Sequence, residues 1–167
     1  WIASILFSPV TMANDRQRYL AILLLNLDRR LDADLDLLEG GVKAGCNAVH
    51  LTIHWDQVYT TSTSTADWRK YDTQIALAQK LGVKIALRIY VARNEGRIQG
   101  FWNTEDRQRD QQGRALSAGY ASTFFSYAHR PSVEKARAFI KEVCQRYNNL
   151  QQQGIITWVG VSTTPTQ

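Results

Sequence analysis

No apolar run in this sequence approaches the ~20 residues that span a bilayer. A membrane-crossing helix is therefore excluded, and no membrane partner is expected. The opening Trp1–Phe7 is apolar but short, and no basic segment precedes it, so it reads as a buried strand and not as a signal peptide. The chain opens on Trp1 and not on Met, which leaves export, to an extracellular or periplasmic location, open. Basic residues are in excess, with a net charge of +5, yet no basic block forms: Arg16, Arg18, Arg29, Arg30, Arg69, Arg88, Arg93 and Arg97 are scattered. A nucleic-acid footprint would be a stripe or a known module, and neither is present. Cysteines number two, Cys46 and Cys144, far apart and without metal-ligand spacing. Such residues are expected as buried thiols acting as small hydrophobes. No strand is followed by G-x-G-x-x-G or a phosphate-loop lysine, so nucleotide-binding sheets lose their usual signature.

What is present is ordinary globular composition, 44% hydrophobic and 21% charged over 167 residues, enough for one domain with a substantial core. The apolar run Tyr19–Leu27 predicts a strand covered on both faces. Leu31, Leu35, Leu38 and Val42 then recur at helical spacing over Asp28–Ala44, with Gly40 and Gly41 weakening the helix and Gly45 ending it. A strand follows over Asn47–Trp55. The polar Thr60–Thr65 loop leads to a helix over Ala66–Leu81 stopped by Gly82, then a strand over Val83–Val91. Residues 92–131 form a long connection rich in Gly, Gln, Arg and aromatics, the kind that is usually a functional lid or binding loop. The clearest helical pattern starts at Pro131-Ser132, with Ser132 as N-cap, and runs to about Gln151. Gly154 stops it, and the last strand is Ile155–Ser162.

Strands alternating with helices predict parallel strands joined by right-handed crossovers, an α/β fold. The second strand sets Val49, Leu51 and Ile53 on one face against His50, Thr52 and His54 on the other. The third sets Ile85, Leu87, Ile89 and Val91 against Ala86, Arg88 and Tyr90. A polar second face on consecutive strands favours a barrel over a flat doubly wound sheet, with a site at its C-terminal mouth. A complete (β/α)8 barrel needs about 250 residues. The expectation is one domain over residues 1–167, a partial parallel barrel of about four βα units, half of a TIM barrel.

The candidate residues follow from that frame. His50 and His54 lie ~13 Å apart along a strand at ~3.3 Å per residue, too far to share one metal ion. No metal and no cofactor is expected. His54, nearest the mouth, suits hydrogen bonding to a ligand, and His50 lies deeper. Arg88 inside a barrel needs a partner, either an interior carboxylate or a substrate oxygen. The long loop adds Phe101-Trp102-Asn103 and Phe124-Phe125-Ser126-Tyr127 with His129. Aromatics among amides and carboxylates suit sugars, although Phe124 and Phe125 fit the domain's own core equally well. Glu95, Glu105, Asp106 and Asp110 read as solvated loop charges.

Three stretches, GCNAVHLTIHWDQVY, DWRKYDTQIALAQKLGVKIALRI and VEKARAFIKEVCQRYNNLQQQGIITWVGVSTTPTQ, together resemble the first half of the barrel in retaining glycoside hydrolases. The match is nearest to the family-42 β-galactosidase-like group and spans roughly Tyr19 to Gln167. Its most specific parts are Gly45-Cys46-Asn47-Ala48-Val49, Trp55 and Lys70-Tyr71-Asp72. Two departures stand out. Many members of that clan carry an arginine where this chain has His50. Their acid/base glutamate follows the fourth strand, about where this sequence ends, and their nucleophile sits at the seventh. Retaining hydrolysis needs two carboxyl groups ~5–5.5 Å apart, and the sequence offers no position for either.

The resemblance implies the substrate-binding half of a glycosidase-like barrel acting on β-linked sugars, without catalytic residues and inactive alone. The residues expected to touch carbohydrate are His54, Trp55, Asp56, Arg88, Tyr90 and Trp102. The alternative is a stand-alone half-barrel that binds or assembles through its exposed strand edges. Its partner is then the remaining half of a barrel or a second copy. A third reading places chemistry of another kind at Asp56, Glu95 or His129.

Overall fold

The computed structural model describes residues 18–24, 31–59, 65–91, 111–114 and 128–162. Its elements are β1 (Ala21–Leu24), α1 (Leu31–Lys43), β2 (Ala48–His54), α2 (Trp55–Val58), α3 (Arg69–Lys80), β3 (Lys84–Tyr90), α4 (Arg130–Gln152) and β4 (Ile156–Ser162). The four strands form one parallel sheet in the order β1-β2-β3-β4. Spatial order thus equals chain order. With right-handed crossovers, that order places every connecting helix on the same side of the sheet. The sheet has one covered face and one polar face, consistent with half a barrel.

The covered face carries the core. Val49, Leu51, Ile53, Ile85, Leu87 and Ile89 are buried against residues of α1, α3 and α4. Helix formation is locally encoded: α1 has Asp32 and Asp34 in its first turn and Lys43 in its last, matching the helix dipole. The helix-to-strand joints are one device used three times. The amide of Cys46 donates to the Gly41 carbonyl, that of Val83 to Ala78 and that of Ile155 to Leu150. The preceding glycine amides donate three residues back, to Val42, Gln79 and Gln151. This is the Schellman closure, which requires the left-handed conformation that Gly82 (φ 71°) and Gly154 (φ 66°) adopt.

The aromatic centre of the core is Phe139 of α4. Its ring stacks on Trp55 (5.5 Å between centroids, 7° between planes) and on Trp68 (6.0 Å, 6°). The run Lys70-Tyr71-Asp72 braces three neighbours from one turn of α3. Lys70 pairs with Asp34 of α1 at 3.1 Å, and Asp72 accepts from Arg146 and Tyr147 of α4. The Tyr71 hydroxyl accepts the His54 amide at 3.0 Å and donates to Gln57 at 3.1 Å.

Four expectations change. β1 is buried on one face only: Ile22 and Leu24 are covered, whereas Leu23 is 48% exposed. A singly wound sheet has helices on one side, so an all-apolar strand here does not imply two covers. The last helix starts three residues early, at Arg130, with His129 in the cap position and Pro131 in the first turn. Proline's fixed φ and missing N–H suit that turn, and Ser132 instead bonds the His129 ring at 2.7 Å. Cys46 is half-buried and Cys144 exposed, so neither is the buried thiol expected. Trp55 leaves the strand to begin α2. The expected opening strand Trp1–Phe7 lies outside the described residues. So do Trp102, Glu95, Glu105, Asp106, Asp110, the Phe101 and Phe124 aromatic runs and most of the 92–131 connection.

Candidate functional site

Register assigns the polar face residue by residue. Three rows run across the strands: Leu23, His50, Ala86 and Trp158; then Thr52, Arg88 and Gly160; then His54, Tyr90 and Ser162. The last row lies at the C-terminal ends of the strands. The described strand residues of this face include no carboxylate.

The structure brings His54, Arg88 and Tyr90 together. The His54 and Tyr90 rings are 5.1 Å apart at 59°. The Arg88 guanidinium lies 5.7 Å from the Tyr90 ring centroid and donates to the Ser162 hydroxyl at 2.6 Å. His54 is 4% exposed, and its backbone position is set from behind by Tyr71. Burial pushes the Tyr71 phenol well above its ordinary range, with the His54 amide acting the other way and the Asp56 charge reinforcing the rise. Tyr71 therefore stays a neutral hydrogen-bonding strut. Asp56 follows in the first turn of α2 and is itself buried.

Trp55 is not part of this group. It is 2% exposed and its ring lies in the stack on Phe139, behind the sheet's end and within the core. The alternation that puts His54 on the polar face turns the next residue the other way. His129 bonds Ser132 at the start of α4.

One residue of the face has no counterpart among the sequence-derived candidates. Simple alternation along β4 would give Ile156 and Trp158 the same face. Between Ile85 and Ala86 the pairing slips, so that Ile156 opposes Ile85 while Trp158 opposes Ala86. The slip is a bulge at Thr157, whose hydroxyl reaches back to the Ile85 carbonyl at 3.4 Å. A bulge re-aims the side chains after it, and here it turns Trp158 onto the polar face. Its ring meets His50 edge-on at 5.9 Å and 88°. It also lies over Gly160, where a Cβ would collide with the six-membered ring. The His50 Nε2 is buried and has no hydrogen-bond partner among the described residues. Burial, and then the nearby Arg88 charge, hold the His50 pKa below its ordinary 6.5, so the ring is neutral near pH 7. Among the described residues no three His, Cys, Asp or Glu side chains gather as a metal site.

No protein-family model and no curated protein matches the sequence. Solved structures do match the fold. The chain is similar to the β-galactosidase from the psychrophilic Marinomonas ef1, with a TM-score of 0.65 at 13% identity, over 86% of this chain and 21% of that one. It is also similar to the catalytic domain of β-amylase from Paenibacillus polymyxa, with a TM-score of 0.57 at 17% identity, over 87% of this chain and 37% of that one. The chain thus spans only a minor part of either protein's length. At these identities the likeness shows the fold alone: an α/β fold with a four-stranded parallel sheet, consistent with half a barrel.

Proposed function

We propose that the polar face is a carbohydrate-binding wall of a glycoside hydrolase, of the family-42 β-galactosidase-like kind and directed at β-linked sugars in the whole protein. The observation that carries this reading is the row His54–Tyr90–Ser162 with Arg88 beneath it, in register at the strand ends where barrel enzymes hold substrate. His54, Arg88 and Tyr90, with Asp56 beside them, supply donors and acceptors for sugar hydroxyls. Trp102, outside the described residues, is proposed to touch the sugar as well, and Trp55 acts from behind by fixing the corner. Retaining chemistry needs a carboxyl pair, the described strand residues of this face hold none, and the role proposed for the chain is binding. Titrating isotopically labelled protein with methyl β-galactoside should shift the His54 and Tyr90 resonances, while nitrophenyl β-galactoside is not hydrolysed. Hydrolysis by the chain alone, or no resonance shift with any β-glycoside, counts against the proposal.

A second reading, an assembly module, is favoured by one observation. Of the large exposed hydrophobics, Tyr19, Leu20 and Leu23 lie on or beside β1, and Trp158 and Val161 lie on β4. These are the two outer strands of the sheet among the described residues. In this reading the edges pair with the remaining half of a barrel or with a second copy.

A further inference from the structure

Across the polar face, charge is one-sided. Arg88 and Lys84 are its strand cations, and Lys84 is occupied by the Gly154 carbonyl at 2.7 Å. Arg88 has the Ser162 hydroxyl and the Tyr90 ring, but among the described residues it has no carboxylate partner. Burying part of a guanidinium favours pairing it with an anion, and the described partners of Arg88 are a hydroxyl and a ring face. Its planar fork matches a carboxylate better than any neutral group. Beside it, Trp158 is 36% exposed, turned onto this face by the bulge, with the outer rim of its six-membered ring over the bare backbone of Gly160. A partly exposed indole next to a guanidinium without a carboxylate among the described residues offers an apolar platform and an anion site side by side.

We propose that this patch binds an acidic sugar: the pyranose ring stacks on Trp158 and its carboxylate is received by Arg88. The proposal rests on the carbohydrate reading above and narrows it from neutral glycosides to uronic acid residues. His50 lies edge-on to Trp158 and braces the indole from below. Ser162 holds the guanidinium so that its remaining N–H groups stay available.

The test compares two ligands that differ only at one carbon. Labelled protein is titrated with methyl β-galacturonide and with methyl β-galactoside at low salt, and the affinities are read from resonance shifts. The galacturonide should bind about tenfold more tightly, in keeping with a charge-assisted bidentate contact. Arg88→Gln should erase that preference, weakening the galacturonide by more than the neutral sugar. Trp158→Ala should weaken both ligands and preserve their ratio. Should Arg88→Gln fail to fold, Arg88→Lys must still reduce the preference, because it keeps the charge and loses the fork. Equal affinities, or a preference unaltered at Arg88, overturn the acidic-sugar assignment and leave the carbohydrate reading standing. Binding of neither ligand overturns both.

Discussion

His50 and Tyr71 show how single side chains on either side of β2 set its properties. His50 resists protonation in the folded chain, through burial first and Arg88 second. The unfolded chain takes up that proton at the ordinary value near 6.5, so it binds more protons as the pH falls. Stability contributed by neutral His50 is complete above that value and declines as acid takes the pH through it towards the lowered folded pKa. Urea midpoints should therefore fall between about pH 7.5 and pH 5.5, and His50→Asn should flatten that slope; an unchanged slope in the variant would remove His50 as its source. Tyr71→Phe strips the partner from the buried His54 amide and from Gln57. An unpaired buried donor costs about 1–3 kcal/mol, and urea denaturation should register a loss of that size. The His54 amide should also lose protection from hydrogen exchange.

At the scale of elements, two adjacent glycines of α1 separate propensity from packing. Gly40 has nothing near the position of a Cβ, whereas at Gly41 a Cβ would run into the Ile22 side chain of β1. Gly40→Ala should stabilise the protein by about 0.5–1 kcal/mol through helix propensity alone. Gly41→Val should destabilise it by about 1–3 kcal/mol through overpacking, and thermal melts of the pair should move in opposite directions. Helical and strand periods made most elements legible in the sequence, because each has one apolar stripe facing one core. The polar alternation of β2 and β3 also placed His54, Arg88 and Tyr90 correctly on a shared face. The sequence could not reveal Trp158, since a bulge changes which residue faces which without changing any residue. Trp55 lies in the core and not with His54, because the alternation that puts His54 on the polar face turns the next side chain the other way. Phe139 is the element-scale hinge of that core, between Trp55 and Trp68. Phe139→Ala should cost about 3–5 kcal/mol, measured by chemical denaturation.

For the whole molecule, exposed hydrophobic side chains on β1 and β4 define where assembly is tested. If edge pairing operates, sedimentation should show a species larger than the monomer. The double change Leu23→Lys with Val161→Lys should return it to the monomer by placing charge on both edges. A wild-type chain that sediments as a monomer at all accessible concentrations would count against assembly from two copies. The strand order also bears on how the molecule is made. Each strand pairs with the one synthesised immediately before it, so no strand has to wait for a later segment or open an existing pair. The sheet can grow outward from β1 as the chain leaves the ribosome. Once residues through Tyr90 have left the exit tunnel, β1, β2 and β3 and the α1–α3 brace can form without waiting for β4.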